Sequence, residues 1–240
     1  MSVYIHGGLR SPIGVLNGQY KHMRPEILGS QVIDEIINRY TISHIDGIFC
    51  GNAVGTGGNL GRLMGLMCNL PNSVPAITVD MQCASALMSI EIAYAHIVSG
   101  IMDSAIAGGI ESSSLQPERV YASGDDREGP YKVAQFTPQD QSPLAMLKGA
   151  ERTIHKYNVT KEDLYPHIIG SHQRASAALD NPYLQSYIMP ITIDGKRCID
   201  ECIRPTMNEK LLSRMKPLLG ADSITNAGNA CLTHDGAAFV

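Results

Sequence analysis

Apolar and polar residues follow two different periods along this 240-residue chain. From Pro25, the positions Ile27, Leu28, Val32, Ile33, Ile36, Ile37 and Tyr40 fall on one stripe, with Asp34, Glu35 and Arg39 off it. That spacing predicts an amphipathic helix opened by the proline. Short runs rich in β-branched or small apolar residues predict strands at Val3–Gly8, Gly47–Asn52, Ala76–Asp80 and Ser104–Glu111, with a fifth beginning at Ala237. Between them the pattern predicts a helix through Arg62–Cys68 and another over Ala84–Ser99, closed by Gly100. The second of these is apolar over most of its circumference, which predicts burial inside the domain. Strands alternating with helices in this order predict a layered α/β fold.

The character changes between about Ser112 and Ser223, where prolines and polar residues rise and strand signals thin out. Two helices stand out there, over Pro143–Tyr157 and from Thr160 onward. The Thr-x-x-Asp spacing from Thr160 to Asp163 is a capping box. Pro166 falls inside this second helix and is expected to kink it or shift its start. The segment reads as an excursion from the sheet domain: a domain over 1–114, an insertion over 115–224, and a return strand over 225–240.

Composition narrows the partners. Charged residues make up only 18% of the chain and the net charge is −4, so no basic stripe exists to neutralise nucleic-acid phosphates. Lys210, Arg214 and Lys216 read as one solvated helix face. No apolar run approaches the roughly 18 residues a membrane span needs. The N-terminus shows no basic stretch followed by an apolar one, so no secretory signal is expected. Without such a signal, the six cysteines (Cys50, Cys68, Cys83, Cys198, Cys202 and Cys231) read as reduced thiols of a cytoplasmic protein, not as a disulfide framework.

The candidate chemistry centres on Cys83 in the stretch TVDMQCASAL, residues 78–87. It stands at a strand-to-helix junction, where a helix N-terminus offers about half a positive charge and unpaired amides that favour thiolate over thiol. Ala84, Ser85 and Ala86 are small and leave room for a substrate. The alternative is a buried, inert cysteine, the commoner fate of a free thiol. The glycine-rich stretch Gly51–Gly61 matches neither phosphate-loop pattern and reads as a structural turn. Cys198 and Cys202 lack a second ligand pair, and His167 and His172, five apart, fall on different helix faces, so no metal site is expected.

VDMQCASAL resembles the nucleophile segment of thiolases, the acyl-CoA C-acyltransferases. Five further stretches are similar to that family in the same order: LRSPIG (9–14), GNLGRLMGLMCNLP (58–71), AGGIESSS (107–114), SHQRA (171–175) and NACLTHDGA (229–237). The resemblance implies a thiolase-like βαβαβαββ layered fold, with a mixed five-stranded sheet and an inserted helical loop domain that binds coenzyme A. It implies Cys83 as the acyl carrier, with CoA and acyl-CoA as substrates, no permanently bound cofactor and no metal. Position by position, it places Arg204 beside the CoA adenine end and Met146 along the pantetheine tunnel. Leu219 stands where an aromatic often packs on CoA, and Cys231 where a serine hydrogen-bonds the pantetheine. Ala145 replaces a histidine found in some members. A thiol is a weaker donor than a hydroxyl and leucine supplies no ring, so acyl specificity is affected more than CoA binding. The resemblance also implies a homodimer joined through the strand at Ile77–Asp80.

The family's second half, with its Asn-Glu-Ala-Phe, Gly-His-Pro and Cys-x-Gly segments, has no counterpart in these 240 residues. Full turnover is therefore expected to need that half. Two alternatives stand beside the enzyme: a non-catalytic CoA or acyl-CoA binding module, and a half-enzyme that assembles with a second chain.

Overall fold

The computed structural model describes residues 2–55, 57–135, 138 and 142–240. The chain forms two compact units. The first runs through Pro117 and takes in Asn181–Cys202 and Thr233–Val240; the second comprises Glu118–Asp180 and Ile203–Leu232. The elements of the first unit begin with β1 (Leu9–Arg10), β2 (Gly14–Val15), α1 (Pro25–Arg39), β3 (Gly47–Gly51), α2 (Leu60–Gly65), β4 (Ala76–Val79), α3 (Ser85–Val98) and β5 (Ala105–Ser112). The second unit then contributes β6 (Arg119–Val120), β7 (Pro130–Tyr131), α4 (Ala145–Lys156) and α5 (Lys161–Ala178). The chain returns to the first unit for α6 (Pro182–Gln185), β8 (Thr192–Ile193) and β9 (Lys196–Arg197). It crosses again for α7 (Glu209–Leu212) and ends the described sheet with β10 (His234–Phe239).

The sheet of the first unit has the order β1-β10-β5-β3-β4, with β2 also paired to β10. β3 runs parallel to β4 and β5, whereas β10 is antiparallel to β5, β1 and β2. The mixed α/β sheet expected from the sequence is therefore present, with six strands instead of five. The extra strand arises because the partner of β10 is split, Leu9 lying opposite Phe239 and Val15 opposite His234, with Pro12 between them lacking an N–H. The strand expected at Val3–Gly8 is not formed. Pairing begins only at Leu9, and residues 3–7 have no described strand beside them.

Helix α1 covers one face of the sheet, as its stripe requires. Leu28, Val32, Ile33 and Ile36 are buried against Ile48, Cys50, Ile106, Ile110 and Phe239. Helix α3 lies on the other face, and here the expectation of a fully buried helix is corrected. Only Ser85, Ser89 and Ala93 are buried, while Leu87 is 69% and Tyr94 55% exposed. The inner stripe of α3 meets the sheet through Phe49 and Ala107, and no described element packs on its outer side. Contact with the sheet is close because the strands are bare there. A Cβ on Gly51 would come within 2.4 Å of the Ala86 nitrogen. Ser89 fixes the approach further along, its Oγ 2.9 Å from the Gly108 nitrogen and 2.8 Å from its oxygen.

The stretch 181–202, read from composition as part of the insertion, packs with the sheet unit instead, and residues 225–232 stay with the second unit. Charge explains the first difference. Asp200 pairs with Arg10 at 2.7 Å and accepts from the Ile13 amide at 2.7 Å, and Glu201 accepts from the amides of Val15 and Gln19. In the second unit, α5 starts where the capping box placed it. The Asp163 amide donates to Thr160 Oγ1 at 3.1 Å, and the Thr160 amide donates to Asp163 Oδ2 at 2.8 Å. Pro166 sits within α5 without shifting that start. No helix among the described residues is long and apolar enough to cross a membrane.

Candidate active site

Cys83 sits on a tight corner between β4 and α3. Gln82 adopts the left-handed region with φ of 52°, a conformation that costs a non-glycine residue about 1–3 kcal/mol unless its surroundings hold it. Here they do. The Gln82 amide donates to Asp80 Oδ1 at 2.9 Å, the Met81 amide donates to Ser85 Oγ at 2.8 Å, and that hydroxyl donates to the Gln82 carbonyl at 2.6 Å. The corner presents Cys83 exposed, one residue before Ala84, the N-cap of α3. Ala84 has no side chain to cap the helix, so the amides of its first turn are left to other partners. Its exposure departs from the buried cysteine of the alternative reading. Cys50 and Cys68 are buried, and their thiols are pushed up to about 12: Cys50 by burial and then the charge of Glu111, Cys68 by burial and then that of Asp34.

Cys83 opens onto a cavity of about 430 Å³, whose other polar lining residues are Asn52, Gln82, Ser85, Glu111, His234 and Asp235. The carboxylate of Glu111 is fully engaged, accepting from Asn52 Nδ2 at 2.9 Å and from the amides of Ala53 and Val54 at 3.0 and 2.8 Å. Asn52 in turn donates to the Ile110 carbonyl at 2.8 Å. These bonds fold the start of the glycine-rich stretch back on β5, which is the structural turn the sequence led one to expect. The Asp235 carboxylate is buried and accepts from the amide and hydroxyl of Ser114. His234 is half-buried, and its ring has no hydrogen-bond partner among the described residues.

Sequence reasoning passed over Glu111 and His234. A signal for His234 existed: on β10 it alternates with buried Asp235, Ala237 and Phe239, so it faces the α3 side along with Gly236 and Ala238. Isolated histidines carry no such sign unless a partner strand is known.

The residues that the resemblance assigned to CoA all lie in the second unit. Met146 and Cys231 are exposed, Arg204 and Leu219 half-buried, and no hydrogen bond among the described residues joins any two of them. Met146 is the second residue of α4. The Arg204 amide donates to His172 Nδ1 at 3.2 Å; burial and then the Arg204 charge hold that imidazole below its usual range. Leu219 lies shortly before a polar clamp that was not foreseen. Glu151 of α4 accepts from the Thr225 hydroxyl, the Ile224 amide at 2.7 Å, the Thr225 amide at 3.1 Å and the Ser223 hydroxyl at 3.1 Å. Burial works against its charge, yet these bonds win and bring it down to about 2. Among the described residues no group of three His, Cys, Asp or Glu side chains could hold a metal.

The comparisons with known proteins agree with this geometry. The family model described as thiolase, N-terminal domain, matches residues 3–240. VraB of Staphylococcus epidermidis strain RP62A, which carries an acetyl-CoA C-acetyltransferase name, is 34% identical over 96% of this chain. VraB of Staphylococcus aureus is 32% identical over the same share. The chain spans 62% of the length of each. The crystal structure of the Bacillus anthracis acetyl-CoA acetyltransferase superposes with a TM-score of 0.83 at 26% identity, over 98% of this chain and 63% of that one. Human mitochondrial 3-ketoacyl-CoA thiolase, solved in complex with CoA, shares the fold, with a TM-score of 0.86 at 24% identity over 99% of this chain and 63% of its own. An exposed cysteine on a strand-to-helix corner, the mixed sheet beneath it and a match over nearly every residue lead to one assignment: the chain belongs to the thiolase family, whose N-terminal domain it carries.

Proposed function

We propose that the protein serves an acyl-CoA C-acyltransferase reaction of the thiolase type, with Cys83 as the acyl carrier. The observation that supports this most directly is the exposed Cys83 on its held corner, facing a cavity, while Cys50 and Cys68 are buried. The Cys83 sulfur attacks the carbonyl carbon of an acyl-CoA, the bond to the CoA sulfur breaks, and the acyl group rests on Cys83 as a thioester. The Cys83 amide helps hold the oxyanion of that step. In the complete reaction the carried acyl group condenses with a second acyl-CoA to give a 3-ketoacyl-CoA, or arises when CoA cleaves one. That carbon–carbon step needs a base for the α-proton, and in this reading the family's second half supplies it.

In the second unit, Arg204, Met146, Leu219 and Cys231 form the CoA-recognising surface. Coenzyme A is a substrate, with no permanently bound cofactor. The chain pairs with a second copy through the exposed edge strand β4, at Ile77–Asp80, the last strand in the sheet order. The open outer side of α3 favours a further association, with the remaining half of the enzyme on the same or a separate chain.

Incubation with acetyl-CoA followed by peptide mass spectrometry tests the carrier role. An acetyl adduct on Cys83, absent from Cys83→Ala, is the expected result. Binding of CoA with no adduct would instead make this a CoA-binding module without chemistry.

A further inference from the structure

We propose that Glu151 is a positioning residue for the pantetheine arm of CoA: its carboxylate fixes the segment 217–231 against α4, so that Met146, Leu219 and Cys231 are presented as one surface. The inference rests on the CoA reading of those residues and adds what holds them in register. All of them lie in the second unit.

The hydrogen bonds radiate from one charge. Glu151 follows Met146 on α4, and of the described residues of that helix it alone is buried. Leu147 and Ile154 are only half-buried, so packing by itself holds the helix weakly. Both carboxylate oxygens are used. Oε1 accepts from the Ile224 amide at 2.7 Å, and Oε2 accepts from the Thr225 amide and the Ser223 hydroxyl, each at 3.1 Å, and from the Thr225 hydroxyl. From these residues further bonds run both ways along the segment. The Leu218 amide donates to the Thr225 carbonyl at 2.9 Å, which ties down the neighbour of Leu219. Asn229, shortly before Cys231, donates from Nδ2 to the Ile224 carbonyl at 3.0 Å and accepts from the Asn226 amide at 2.7 Å.

The arrangement calls for a carboxylate. Burial opposes the charge, but the converging donors bring the group down to about 2, so it is ionised whenever CoA is to be bound. A glutamine of the same shape offers one accepting oxygen and turns an NH2 group toward donors on the other side. Part of the segment would then be released, at the cost of buried amides and hydroxyls left unpaired.

Calorimetry on the 240-residue chain tests the role with two ligands: CoA, and adenosine 3′,5′-bisphosphate, which keeps the nucleotide and lacks the pantetheine arm. For Glu151→Gln, CoA is expected to bind roughly tenfold more weakly, as when the competent arrangement is populated about one time in ten, and the bisphosphate as in wild type. Thr225→Val removes a single hydroxyl donor; a smaller loss in the same direction is expected, and this variant decides the question if Glu151→Gln does not fold. Equal weakening of both ligands would reduce the clamp to general structural support and overturn the role. Unchanged CoA affinity in both variants would overturn it too, while the CoA reading of the surface stands. If wild type binds neither ligand, that reading fails and the role of Glu151 falls with it.

Discussion

The two faces of the sheet each carry a helix that packs an apolar stripe on the strands, yet they are finished differently. On the α1 face, the helix stripe, α2 and the strands enclose Val32, Ile33, Ile36 and Cys50 with almost no exposure. On the α3 face, glycines and serines bring the helix down onto the strands while Leu87 and Tyr94 point outward. The first face is a core, whose free energy comes from area removed from water. The second is a platform, positioned by backbone proximity and by the Ser89 hydrogen bonds, and it leaves Cys83 accessible. Cys50 sits on the first face and Cys83 on the second, and the difference between them summarises the contrast.

That contrast can be broken in order of expected size. Cys50 is held at about 12 against an ordinary 9.0, so at pH 8 its thiolate fraction is about a thousandth of an ordinary thiol's. Its alkylation in the native chain should be at least roughly a thousandfold slower than in the urea-unfolded chain, while Cys83 is trapped in both; equal protection of the two would erase the distinction between the faces. The sign for stability follows from the same displacement. Below pH 9 both states keep the thiol protonated and nothing changes; as pH rises from 9 towards 12 the unfolded chain alone ionises, and stability is lost. A smaller effect is expected from Ile33→Ala, which opens a cavity in the covered face and should cost about 2–5 kcal/mol in urea unfolding. The smallest comes from Leu87→Ser on the open face, expected within about 0.5 kcal/mol in this chain. A loss there comparable to that at Ile33 would mean that the outer side of α3 is covered after all.

Much of this was legible in the sequence where one residue pattern maps to one structural cause. The α1 stripe gave both its limits and its buried face, and Thr160 with Asp163 marked the start of α5. The same logic failed for α3, because apolarity around a helix signals a need for cover without saying where the cover comes from. Residues 3–7 read as a strand by composition, but a strand requires a neighbour, and pairing is not written locally. The return of 181–202 to the sheet unit was hidden because it depends on Asp200 and Glu201 meeting Arg10, Val15 and Gln19, far away in the chain. At the site, the strand-to-helix position of Cys83 was legible in the pattern on either side of it. The settings of Glu111 and Glu151 were not, since each is defined by partners brought in from other elements.

The missing side chain at Gly51 turns the spacing between sheet and helix into a gauge with no slack. A single added methyl at Gly51 would collide with the backbone of Ser85 and Ala86, not with a yielding side chain, so the whole N-terminal turn of α3 would have to lift. Because Cys83 stands immediately before that turn, the placement of its sulfur depends on the absence of a side chain at Gly51.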